Sequence, residues 1–154
     1  MSDKLNNPIW VMSSAYEKLS LDELIATSKE LGAQGIDLCV FRKDGTREDH
    51  TATHLDYENF GPEQAQEILT KFNQAGLQLS LGAFENMIGG EPAERIKNQN
   101  HLLRLIRIAY LLGGDANNVM VGTFVGYNHE LGNEIDGFQK NLDEYQRVFA
   151  PIIA

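Results

Sequence analysis

Two histidines and two carboxylates fall within eight residues, in Asp49-His50-Thr51-Ala52-Thr53-His54-Leu55-Asp56. Imidazole titrates near neutral pH and ligates divalent metals, and a neighbouring carboxylate can orient it or take its proton. His50, His54 and Asp56 are therefore candidates for acid–base work, substrate contact or metal ligation. The competing reading is a polar loop whose imidazoles are solvated or bond backbone groups. Glu85-Asn86 sets a carboxylate beside an amide, a pair that accepts from and donates to sugar hydroxyls or caps a turn. His129-Glu130 offers another such pair in a glycine-rich stretch, against the plainer reading of an exposed loop histidine. Trp10, Phe41, Phe84 and Phe124 could wall a sugar pocket by stacking on its apolar face, or pack in a core. Arg42-Lys43 could attract a phosphate group or remain solvated. Gly89-Gly90 lacks both the spacing and the Lys-Ser/Thr of a nucleotide phosphate loop.

The segments that must position these residues alternate in type. Short β-favouring runs at Ile9–Ser13, Gly35–Phe41, Gln78–Phe84 and Asn118–Thr123 are each followed by a longer stretch of helical period. Alternating βα units imply a parallel sheet with covering helices. Ser20 with Glu23 has the form of a capping box for a first helix, with Leu21, Leu24, Ile25, Ser28 and Leu31 on one face and Gly32 as its stop. Pro62 is suited to open a second helix, with Ala65, Ile68, Leu69 and Phe72 as its stripe and Gly76 at its end. A long third helix starts near Pro92, with Ile96, Leu103, Ile106 and Tyr110 expected on its buried side. A fourth runs from about Gly137 through Phe138, Leu142, Tyr145 and Phe149 and is expected to be interrupted at Pro151.

The αβ connections are tight, whereas the loops after strands 2 and 4 are long and polar. Sites in parallel α/β folds lie at the C-terminal ends of the strands, where these loops gather. The expected class is α/β, a single (β/α)4 unit over residues 1–154. Four units are half of a (β/α)8 barrel, which typically needs about 250 residues. The sequence stops at Ala154, where a fifth strand is due, so half of the site is expected to lie outside it. A half-barrel leaves two open sheet edges, and a homodimer closing eight strands is one way to cover them. The rival α/β arrangement, an open doubly wound sheet, has helices on both faces. It commonly carries a Gly-rich phosphate fingerprint after strand 1, where this chain has Ser13-Ser14-Ala15-Tyr16.

Composition narrows the classes. The 154 residues are 42% apolar and 23% charged, as in globular domains. A net charge of −9 with no Lys/Arg cluster excludes a nucleic-acid backbone binder, which needs a basic face. The single cysteine, Cys39, lies in an apolar strand, which excludes a disulfide framework or a cysteine-based metal site. No charged-then-apolar leader opens the sequence, and no apolar run approaches the roughly 18 residues of a membrane span. The expected setting is cytoplasmic, with no membrane partner.

The run Ser20 to Leu38, a capped helix followed by Leu31-Gly32-Ala33-Gln34-Gly35 and Ile36-Asp37-Leu38, resembles xylose-isomerase-like TIM barrels. These are the sugar phosphate isomerases and epimerases, relatives of the apurinic endonuclease fold. Leu79 to Gly89 and Asn117 to Gly126 are similar to strands 3 and 4 of that family with their following turns. The likeness covers nearly the whole sequence and the first half of the family's length. It implies a (β/α)4 half of a TIM barrel whose parent isomerises or epimerises a sugar or sugar phosphate through an enediolate. It also implies a divalent metal (Mn, Mg, Co or Zn), held in the full barrel by residues of strands 5 to 8 and not by this half. Within the resemblance, His54 and Asp56 are similar in type and place to a His and Asp that assist sugar-ring opening in xylose isomerases. Glu85, Asn86, His50, His129, Trp10 and Phe41 are then expected substrate contacts. The other reading is a non-catalytic half-barrel that binds a ligand or assembles with itself.

Overall fold

Strands of three to six residues alternate with longer helices, apart from one short helix of four residues after the last strand. The structure is a computed structural model, and it describes residues 7–45, 54–113 and 119–153. Four strands, β1 (Trp10–Met12), β2 (Gly35–Cys39), β3 (Gln78–Ala83) and β4 (Met120–Thr123), form one sheet in the order β1-β2-β3-β4. All pairings are parallel. The helices are α1 (Leu21–Glu30), α2 (Pro62–Ala75), α3 (Pro92–Gly113), the short α4 (His129–Gly132) and α5 (Gly137–Ile153), with a 3-10 turn at Ser13–Tyr16.

The order never reverses, so there is no switch point of the doubly wound kind. By the right-handed rule for such connections, the crossover helices α1, α2 and α3 are expected on one face of the sheet. The core agrees. Val11, Ile36, Leu38, Val40, Leu79, Leu81 and Ala83 pack with Leu24, Ile25, Ile68, Phe72, Leu105 and Phe149 in one cluster. Their strand neighbours Trp10, Met12, Asp37, Ser80 and Met120 point by alternation to the other face.

Local signals explain the helix ends. Ser20 and Glu23 form the reciprocal capping box, Pro62 opens α2, and Gly76 closes it in the left-handed conformation with φ 69°. The long α3 departs from its expected orientation. His101, Leu102, Leu105, Ile108, Ala109 and Leu112 are buried, whereas Ile96, Ile106 and Tyr110 are exposed. Apolar residues occupy nearly every position from Leu102 to Leu112, so period alone does not select a face there. At the other end of the chain α5 continues through Pro151 to Ile153 rather than stopping. A proline in a last turn removes only one internal hydrogen bond. Phe138, in the first turn of that helix, is exposed. Among the described residues no helix is long and apolar enough to cross a membrane.

Candidate functional site

The face of the sheet opposite the helices is built in rows by the parallel register. Trp10, Gly35 and Gln78 form the first row, and Met12, Asp37, Ser80 and Met120 the second. Cys39, Gly82 and Gly122 form the third, toward the C-terminal ends of the strands. Two glycines and a cysteine make that third row thin. Phe84 folds into the space: a Cβ on Gly82 would lie 2.6 Å from its Cζ and 3.1 Å from Asp37 Oδ2. Phe84 also lies between Phe41 and Phe124, with ring centroids 6.1 and 5.0 Å away. The C-terminal rim of the open face therefore carries a row of three phenylalanines. Below it, Asp37 Oδ1 accepts a hydrogen bond from Ser80 Oγ at 2.7 Å.

The expected contacts are distributed around this face rather than gathered on it. Trp10 lies over Gly35 at the N-terminal end of the strands, away from the rim. Phe41 belongs to the aromatic row. His54 Nε2 is 2.9 Å from the Leu19 carbonyl, which ties its loop to the start of α1. Asp56 accepts from Glu58 N and from Asn59 Nδ2 and lies 3.5 Å from Lys43 Nζ. His50 lies outside the described residues. His129 is exposed at the start of α4 with its ring edge-on to Tyr127, at 5.0 Å.

Asn86 works as a clamp between loops. Its Oδ1 accepts from Ile88 N and Gly89 N, and its Nδ2 donates to Tyr127 O. Glu85 turns toward the helix side and is buried. Its Oε1 accepts from Arg42 N at 3.0 Å, 4.0 Å from His101 Nε2. Its Oε2 is buried without a hydrogen-bond partner among the described residues. His101 Nε2 lies 2.7 Å from the Val40 carbonyl, so this cluster joins the ends of β2 and β3 to α3.

Arg42 is neither solvated nor free for phosphate. Its side chain is buried and bonds Asp44, Glu94 and Asn98. The Arg42 guanidinium is the main reason the Asp44 carboxyl titrates below its ordinary value of 3.8. Glu94 is held below 4.5, chiefly by Lys97 and then by Arg42, and Glu144 likewise, chiefly by Arg147. Lowered folded-state values mean that these groups add stability above their unfolded values and lose it as pH falls through the folded ones. The melting temperature is expected to drop as pH is lowered below 4.5. An Arg42→Leu variant should show a smaller drop relative to its own neutral-pH value. Equal drops in calorimetry would show that the Arg42 pairs do not carry the acid sensitivity.

Asp37, Ser80 and His101 had no assigned role in the sequence reading. The available cue for Asp37 was a single acid in the apolar run Gly35–Phe41. A strand covered on both faces has no place for a charge. His101 carried no local cue, since its partners are far away in sequence.

No protein-family model matches the chain, and no curated protein matches it in sequence.

Proposed function

We propose that the chain is the N-terminal (β/α)4 half of a xylose-isomerase-like TIM barrel and forms part of the sugar-binding mouth of an isomerase or epimerase. The observation that carries the reading is the row Phe41–Phe84–Phe124 at the C-terminal rim of the open sheet face. Aromatic faces stack on the C–H surface of a sugar ring, and a site at the C-terminal ends of parallel strands is where barrels bind substrate. In this reading the chain holds and orients the sugar. Phe84 and Phe124 supply the stacking surface, and His129, edge-on to Tyr127 after β4, is a candidate hydroxyl contact. His54 takes part only when it releases the Leu19 carbonyl.

The divalent metal of this chemistry does not fit the described residues, because no group of three His, Cys, Asp or Glu side chains converges. The metal and the base that forms the enediolate belong, in this reading, to the other half of the barrel. The test is proton NMR of the chain titrated with ketohexoses, aldopentoses and their phosphates to about 1 mM, the upper end of ordinary KM values. Ring resonances of Phe84 and Phe124 should shift, and Phe84→Ala should weaken binding at least about tenfold. A panel that leaves the rim unperturbed removes the sugar reading.

A further inference from the structure

A pocket of about 280 Å³ opens between α3 and the segment that follows β2. Lys97, Asn100, His101 and Arg104 reach it from α3, at the three- and four-residue spacing that lines one face of a helix. Tyr57 forms the facing wall. Its ring meets His101 edge-on at 4.7 Å, and the Arg104 guanidinium carbon lies 5.9 Å from its centroid. Both walls belong to the β2 and β3 units, away from the β1 and β4 edges of the sheet.

Most of the charge around this pocket is already paired. Asp44 lies 3.0 Å from Arg42 and 3.4 Å from Lys97. Glu58 pairs with Lys43. Two groups are left over. Arg104 makes no ion pair or hydrogen bond among the described residues, only its contact with the Tyr57 ring. His101 is 5% exposed, and its Nε2 lies 2.7 Å from the Val40 carbonyl. A carbonyl oxygen can only accept, so Nε2 carries the hydrogen and Nδ1 of the neutral ring holds a lone pair. That nitrogen has no partner among the described residues. Of the side-chain polar atoms sealed from solvent, only Glu85 Oε2 lacks a partner there, so Nδ1 meets solvent, in the pocket that His101 lines.

A guanidinium without a carboxylate partner suits an oxyanion, which it grips with parallel N–H donors. A lone pair beside it repels a bare oxyanion and accepts from a hydroxyl. Phosphate meets both demands, because it keeps an O–H at neutral pH, whereas sulfate has none. The volume, at the lower end for ligand pockets, suits a small ion or ester.

We propose that this pocket binds a phosphate group accompanied by an O–H, as the free ion or a small ester, with Arg104 gripping its oxygens and His101 Nδ1 accepting the O–H. The net charge of −9 repels anions at long range, so the affinity comes from these contacts. The site stands whether or not the aromatic rim binds a sugar.

The test is an NMR titration at about pH 8, where imidazole is ordinarily neutral, read at the His101 ring protons. Inorganic phosphate is expected to bind with a Kd of about 1 mM or tighter. Sulfate should bind at least about tenfold more weakly, which tests the histidine without altering the fold. Arg104→Gln, at an exposed position, should weaken phosphate at least about tenfold with an unchanged circular dichroism spectrum. Glycerol phosphate run beside the inorganic ion assigns the source, the tighter of the two being the form the pocket takes. His101 resonances unmoved by either compound up to about 10 mM would overturn the proposal. Sulfate as tight as phosphate would overturn it, and so would an Arg104→Gln protein that binds like wild type.

Discussion

A Gly126→Ala variant is expected to melt on the order of 10 °C below wild type, from a loss of about 3 kcal/mol. Two effects combine there. Gly126 has φ 88°, a conformation that costs an L side chain about 1 kcal/mol or more. A methyl group at that position would also lie 2.6 Å from Asn86 Cγ. Asn86 cannot retreat without releasing Ile88 N, Gly89 N and Tyr127 O, each worth roughly 1 kcal/mol. The loops after β3 and β4 would come apart together. In an Asn86→Ala background the clash with the amide is gone, while the close approach to the residue-86 Cα at 3.0 Å and the φ cost remain, so the two substitutions should be clearly non-additive. A Gly126→Ala protein that melts with wild type would show that these loops are not clamped as described.

The second large effect is at Glu85. Glu85→Ala is expected to cost about 3 kcal/mol, because it strands the Arg42 amide and leaves a cavity at a buried position. Glu85→Gln keeps an acceptor for Arg42 N and removes a buried charge. It should fall within about 1 kcal/mol of wild type. Denaturant midpoints with unchanged slopes are the measurement. If the glutamine variant is as weak as the alanine one, the negative charge itself, through His101, holds the cluster together. If the alanine variant is as stable as wild type, Glu85 is not a structural link between β2, β3 and α3.

Where structure depends on neighbours in sequence, the residues announce it. Ser20 with Glu23, Pro62 and Gly76 mark helix ends through bonds spanning a few residues, and all three act as read. The parallel class follows from the alternation of element types, and the sheet contains those four strands. What was hidden depends on distant partners. Arg42 is read as a loop charge until Glu94 and Asn98, 52 and 56 residues away in sequence, close over it. Glu85 and Asn86 look like free ligands for hydroxyls, yet Glu85 Oε1 is taken by Arg42 N and the Asn86 amide by Gly89 and Tyr127. The orientation of α3 is hidden for the opposite reason: so many of its residues are apolar that its period is blurred.

The strand order has a consequence for how the chain acquires its shape. Each strand pairs with the one made just before it, so during synthesis every new βα unit meets a finished docking edge. Sheets whose first strand ends in the middle must hold an edge open for a strand not yet made. Here no such wait arises, since each pairing partner lies one βα unit back: Gly35 with Trp10, Gln78 with Gly35 and Met120 with Ser80. The growing sheet would lengthen by accretion from the ribosome outward, with its unfinished edge always the newest one.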